Sequence, residues 1–231
     1  MRASIAIGFD FDHTLGVDHG LELRALYAYA AELGRPLRTD DVALRNAIET
    51  FLADFRSGLM TLDTMIAVFA EQLGASPGDP QRWREMCYGL VDELVHPIDG
   101  AAELLTSLRA RGVPMAVLTN GWTPLQQKKI ERALGSAANG LAVLVSDALG
   151  AVKPARAAFD ALVATLGVSC EQSWYVGDNP RGDVGGALAA GLRAVWFDWE
   201  GLSYPQDLPP PTLRISALRE LEALAQNTYA P

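Results

Sequence analysis

The sequence predicts an α/β protein: a parallel sheet with helices on both faces, interrupted after its first strand by an all-helical insertion. Three observations point there. An apolar run, Ile5-Ala6-Ile7-Gly8-Phe9, opens the chain and reads as a buried strand. Residues 18–96 then carry only helical periodicity. From about residue 98 onward short apolar runs alternate with amphipathic stretches, the pattern of βα units wound into a parallel sheet.

The first strand runs into Asp10-Phe11-Asp12-His13-Thr14-Leu15. Residues i and i+2 of a strand point the same way, so Asp10 and Asp12 emerge together. Two carboxylates inside a sheet would repel and lose hydration. At a strand's open end, where α/β sheets place their ligands, they are tolerable, above all with a divalent cation between them. Taken alone, the pair fits a turn cap equally well.

Within the insertion, Leu21, Leu23, Leu26, Tyr27, Tyr29 and Ala30 mark a helix that stops at Gly34. Thr39 caps a second helix, with Asp40 and Asp41 facing its dipole, which runs through Ile48, Phe51, Leu52 and Phe55 to Gly58. A third spans Thr61 to Leu73 and is stopped by Gly74. Asp79-Pro80 opens a fourth, to about Val95.

The second block begins with a helix from Ala101 to Ala110. Strands follow at 114–119, 142–146, 173–177 and 194–198, with helices at 124–134, 154–166 and 182–190 between them. Thr123-Pro124-Leu125-Gln126 reads as a capping box with proline at the first helical position. Residues 205–212 are a proline-rich connector, and Leu218, Leu221 and Leu224 suggest a terminal helix.

Composition narrows the function classes. Hydrophobic residues make up 49% and charged residues 20%, as in a globular domain. A net charge of −9 argues against nucleic acid as a partner, which needs a basic face, but leaves room for a small phosphorylated ligand. Lys128, Lys129 and Lys153 are the three lysines of the chain. Cys87 and Cys170 have no metal-type spacing, and reduced thiols are expected. The absence of an apolar leader or a membrane-length run predicts no membrane partner and a cytoplasmic location. The oligomeric state is open.

Other strand ends also carry polar groups: Thr119-Asn120-Gly121, Lys153 before a helix start, and Gly177-Asp178 with Asp183 five residues on. Each has an ordinary reading as a turn, a surface lysine or a helix-start charge. A parallel sheet gathers them at one edge with Asp10 and Asp12. Four carboxylates beside a lysine make a hard-cation site that suits Mg²⁺ bridging to a phosphate. Thr119, Asn120 and Lys153 are then phosphate donors.

These residues carry a resemblance to the haloacid dehalogenase superfamily along the whole chain. Asp10-Phe11-Asp12-His13-Thr14-Leu15 matches its D-x-D-x-T-L motif. Thr119, Lys153, and Gly177-Asp178 with Asp183 match the second, third and fourth motifs in order and spacing. The resemblance implies a three-layer Rossmann-like core formed by residues 1–16 and 97–231, and an inserted helical cap of the C1 type over 17–96. The segments Thr119 to Gln126 and Val176 to Phe197 are most similar to the nucleotide and sugar-phosphate phosphatases of subfamily I.

It further implies a chemistry. Asp10 is the nucleophile that forms an aspartyl-phosphate, and Asp12 is the general acid and base. An acid at Asp12 separates phosphatases from the dehalogenases and phosphonatases of the family. Mg²⁺ is held by the Asp10 carboxylate, the Asp12 carbonyl and Asp178, with Asp183 alongside; Thr119, Asn120 and Lys153 take the phosphoryl oxygens. His13 occupies a variable position. The expected substrate is a small-molecule phosphate monoester. The alternatives are a phosphomutase, or a non-catalytic phosphate-binding module on the same fold. The cap's seven arginines offer leaving-group contacts without indicating which are used.

Overall fold

A computed structural model describes residues 5–75 and 78–222. The chain divides into two compact units, one formed by 1–17 with 96–231 and the other by Asp18–Val95.

The larger unit is a three-layer α/β fold. Its strands are β1 (Ala6–Phe9), β4 (Met115–Thr119), β5 (Ala142–Val145), β6 (Ser173–Gly177), β7 (Arg193–Phe197) and β8 (Leu213–Ile215). They form one parallel sheet in the order β5-β4-β1-β6-β7-β8. Two further short strands, β2 (Gly16–Val17) and β3 (His96–Pro97), pair antiparallel, so the chain segments leaving for and returning from the helical unit are tied together. The helices of this unit are α5 (Ala101–Ala110), α6 (Leu125–Leu134), α7 (Ser146–Leu149), α8 (Arg156–Leu166) and α9 (Gly186–Ala189).

Strand β1 sits between β4 and β6, and its four residues are buried. A strand covered on both faces must be apolar throughout, which is why it reads as a continuous run. Phe159 and Leu162 of α8 and Ala187 of α9 pack with Ala6, Ala116, Leu118, Tyr175, Ala194 and Trp196 from one face of the sheet. Gly8 lets α8 approach closely: a Cβ there would stand 2.5 Å from Leu162 Cδ2. By alternation, Ile7 and Phe9 face the other layer.

The helical unit holds α1 (Leu21–Glu32), α2 (Val42–Arg56), α3 (Leu62–Gln72) and α4 (Pro80–Leu94). Its core contains Leu26, Tyr29, Met65, Ile66, Phe69 and Trp83. The Tyr29 hydroxyl accepts the Asp79 N–H at 2.5 Å, pinning the start of α4. Arg24, Arg38, Arg56 and Arg82 pair with Glu93, Asp40, Glu22 and Glu32 inside the unit. Among the described residues no helix is long and apolar enough to cross a membrane.

Several local expectations are corrected. Asp41, not Thr39, caps α2: its side chain accepts the Leu44 N–H. The capping box at Thr123 does not form, because α6 begins at Leu125 with no side-chain cap and Thr123 bonds Asp147 instead. Residues 182–190 are a π turn, Pro180–Gly185, followed by the short α9. Helix α8 starts at Arg156 rather than at 154, and Lys153 precedes it as expected. Strand β8 follows the proline-rich connector where no strand was expected. Of the terminal helix, a 3₁₀ turn at Leu218–Leu221 is described, and Leu224 lies outside the described residues.

Candidate active site

Parallel strands place all their carboxyl ends at one edge, and the strand sequence changes direction on either side of β1. That is the position where α/β sheets bind ligands. Asp10 follows β1, Thr119 ends β4, and Asp178 follows β6.

The loop after β1 is a tight turn. The N–H groups of Thr14, Leu15 and Gly16 all converge on the Phe11 carbonyl, and the His13 N–H donates to the Gly16 carbonyl at 2.7 Å. His13 takes a left-handed φ of 59°, which turns the chain sharply after Asp12. The Asp10 N–H donates to the Val176 carbonyl at 2.8 Å, extending sheet pairing to the reactive position itself.

One carboxylate oxygen each from Asp10, Asp178 and Asp183 lie within 4.8 Å of one another. The Lys153 ammonium stands among them, 2.6 Å from Asp10 Oδ1 and 2.7 Å from Asp183 Oδ1. Its third neighbour is the Tyr175 hydroxyl at 3.0 Å, which in turn donates to the Leu118 carbonyl at 2.7 Å. An ammonium has three donors, and here three oxygens meet them.

The electrostatics follow from burial. Burial raises the Asp10 pKa; Lys153 opposes this, while Asp183 and Asp12 add to it, and the net is upward. Burial also raises the Asp178 pKa, reinforced by Asp10 and Asp183. Burial pushes the Lys153 pKa down, but the Asp10 and Asp183 carboxylates outweigh it and hold the ammonium charged. Three carboxylates against one ammonium leave negative charge uncompensated in a buried place. An all-oxygen set of this kind fits a hard divalent cation.

The loops that carry these groups are cross-braced. Asn120 clamps the Lys153 main chain from both ends of its amide, accepting the Lys153 N–H at 2.9 Å and donating to the Lys153 carbonyl at 3.1 Å. The Gly121 N–H donates to Ser146 Oγ at 3.0 Å, and Asp147 accepts from both the Thr123 N–H and its hydroxyl. Asp183 Oδ2 accepts the Asn179 N–H at 3.0 Å. Gly177 has no side chain because the Asp183 carboxylate occupies the space a Cβ would fill, with Asp183 Cβ itself 2.5 Å from that position.

Asp12 is wired differently. Its carboxylate pairs with Lys129 and accepts from Gln126 Nε2 at 2.8 Å, both on α6, and lies outside the three-acid cluster. Gln126 Nε2 also reaches Thr119 Oγ1 at 2.7 Å. Gln126, Lys129 and Tyr175 are not among the site residues expected from the sequence. The scarcity of lysine was a usable signal for Lys129. Gln126 was hidden because its position matched a capping box. The His13 and Trp199 rings lie 6.4 Å apart, nearly parallel, beside this loop.

Comparison with known proteins gives a consistent picture. Phosphoserine phosphatase of Thermus thermophilus is 40% identical over 156 residues, which cover 67% of this chain and 62% of that protein. The chain therefore matches less than two thirds of that relative's length. Pyrimidine 5′-nucleotidase YjjG of Escherichia coli is 30% identical over 162 residues, covering 68% of this chain and 67% of that one. In structure, the HAD-hydrolase YfnB of Bacillus subtilis, solved with magnesium bound, superposes with a TM-score of 0.75 at 23% identity, covering 97% of this chain and 99% of YfnB. The family model for haloacid dehalogenase-like hydrolases matches residues 6–191, which include every acid of the cluster and both of its loops, and this chain belongs to that family.

Proposed function

We propose that the protein is a Mg²⁺-dependent phosphatase of small phosphate monoesters, working through an aspartyl-phosphate on Asp10. One observation carries the reading: Asp10, Asp178 and Asp183 converge around Lys153, while Asp12, two residues from Asp10, is held apart from them. Nucleophile and proton donor are thus separated although the chain makes them near neighbours.

The carboxylates of Asp10, Asp178 and Asp183 and the carbonyl of Asp12 are the groups that would hold the ion. Bound there, Mg²⁺ offsets the repulsion between the Asp10 carboxylate and a dianionic phosphate and stabilises charge on the transferring group. Thr119 takes a phosphoryl oxygen, and Lys153 takes another by exchanging its bond to Asp10 Oδ1 for it. Asn120 contributes through its main chain, since its side chain is taken up by the Lys153 backbone.

In the first step an Asp10 oxygen attacks phosphorus, the bond to the ester oxygen breaks, and Asp12 gives its proton to the departing alkoxide. In the second step water attacks the aspartyl-phosphate, Asp12 takes the water proton, and inorganic phosphate leaves with Asp10 restored. The helical unit acts as the substrate-reading cap, entered and left through the β2–β3 pair. Phosphoserine and 5′-nucleotides, the substrates in the names of the curated relatives, head the assay panel.

The test is turnover of p-nitrophenyl phosphate. Activity should vanish in excess chelator and return on adding Mg²⁺. Full activity in chelator would overturn the metal-dependent reading, and no turnover of any phosphomonoester with Mg²⁺ present would overturn the phosphatase itself.

A further inference from the structure

The two acids that follow the first strand are each met by a different lysine. Lys153 sits on Asp10, and Lys129 sits on Asp12. The chain has three lysines in all, so two of them are spent on these two carboxylates. The Lys129 side chain is 4% exposed. Burying an ammonium is costly unless a carboxylate meets it, and a surface helix has no general need of one there.

The helix explains how Asp12 is gripped. Gln126 and Lys129 stand three residues apart on α6, so their side chains share a face. Lys129 Nζ pairs with Asp12 Oδ1, while Gln126 Nε2 donates to Asp12 Oδ2 at 2.8 Å. Two donors on one rigid helix, one for each oxygen, fix the plane of the carboxylate. Each oxygen keeps a second lone pair for a proton.

Gln126 has a second task. Its Nε2 donates to Thr119 Oγ1 at 2.7 Å, so that hydroxyl is an acceptor on this side. Thr119 Oγ1 lies 3.3 Å from the Asn120 carbonyl oxygen, long for such a bond, so its proton is left to turn toward an incoming oxygen. One amide thereby orients both the proton-transfer acid and a phosphoryl-binding hydroxyl.

We propose that Lys129 and Gln126 are positioning residues for Asp12, holding its carboxylate in the orientation from which it gives a proton to the ester oxygen and takes one from water. This rests on the phosphatase reading above. Neither residue touches the phosphoryl group; both act through Asp12, and Gln126 also through Thr119.

The test combines kinetics with a readout that needs no turnover. With p-nitrophenyl phosphate and Mg²⁺, Lys129→Met should lower kcat about 30-fold with KM unchanged or lowered, because general acid–base catalysis is worth about 10²–10⁴, only part of it depends on orientation, and with this ester the loss falls on the second step. Lys129→Arg should recover kcat to within about fivefold of the wild type, since it restores a cationic donor. In an Asp12→Asn background, Lys129→Met should change kcat by less than about twofold, the mark of two residues acting as one unit. Effects that multiply in the double variant, or a raised KM at unchanged kcat, would overturn the proposal. Independently, Asp12→Asn should move the Gln126 side-chain amide signals in ¹⁵N spectra of the full chain, and unmoved signals would also overturn it. A wild type that hydrolyses no phosphomonoester would sink the phosphatase reading and the proton-transfer role together, with the amide signals still deciding whether Asp12 is held.

Discussion

The Thr14 hydroxyl accepts a hydrogen bond from the backbone N–H of Asp178 at 3.1 Å, joining the loop after β1 to the loop after β6. Thr14 is fully buried. On the other side, the Asp178 carbonyl accepts from Trp196 Nε1 at 2.9 Å. The main chain of one acid in the cluster is therefore held from two directions, by residues 164 and 18 positions away. Asp178 owes its place beside Asp10 to these bonds and to strand pairing.

Thr14→Val keeps the shape and removes the acceptor. The Asp178 N–H would lose its partner, at a cost of about 1–2 kcal/mol in urea unfolding. A supporting shell of this kind sets metal affinity, so Mg²⁺ binding followed by calorimetry should weaken about 10-fold. Unchanged affinity would show that Thr14 only fills space.

Gly177→Ala attacks the same cluster from the strand side. The backbone there is ordinary strand, so alanine meets no conformational penalty. Its Cβ would collide with the Asp183 side chain, which accepts from Asn179 and Lys153. Displacing that carboxylate breaks both bonds. The expected result is a loss of about 2–3 kcal/mol in stability, in the range for overpacking plus a broken hydrogen bond. Mg²⁺ affinity should fall with it, and a variant that binds Mg²⁺ like the wild type would show that Asp183 has no part in holding the ion.

Much of this arrangement was legible in the sequence. The β1 run and the acids after it stand out because a doubly covered strand is apolar to its end, and a carboxylate there has to be explained. Asp178, Asp183 and Lys153 followed from the alternation of strands and helices, and the structure brings all three to Asp10. What was not legible depends on contacts distant in sequence. Leu213-Arg214-Ile215 is too short to announce itself, and it becomes a strand by pairing with β7. Gln126 fits a capping box locally, but its side chain is taken by Asp12, 114 residues away. Lys129 looks like any helix lysine until Asp12 is placed beside it.

Tyr175→Phe isolates the support under Lys153. The ring and its edge-on contact with Phe159, at 5.1 Å between centroids, would remain. The hydroxyl between Lys153 and the Leu118 carbonyl would be lost. Both bonds are buried, so stability in urea should drop by about 1–3 kcal/mol. If Lys153 takes phosphoryl oxygens, KM for p-nitrophenyl phosphate should rise more than kcat falls. A drop in kcat alone would place Tyr175 in the chemical steps instead.

The sharpest separation is between Asp10 and Asp12, which lie two residues apart in sequence yet pair with different lysines. Asp10→Asn removes the nucleophile, so no substrate should label the enzyme. Asp12→Ala removes the proton donor and acceptor and leaves its main-chain carbonyl in place. p-Nitrophenolate departs without a proton, so this variant should still be phosphorylated by the aryl ester. It should then stall, because the water that clears the aspartyl-phosphate has lost its base. Rapid-quench measurements should show a burst of about one phenolate per site followed by slow turnover, the fingerprint of an accumulating covalent intermediate. With an alkyl phosphate the burst should disappear, since the first step now needs the missing proton. Wild-type rates on both ester classes in Asp12→Ala, or a phosphoenzyme in Asp10→Asn, would show that the two carboxylates do not divide the work in this way.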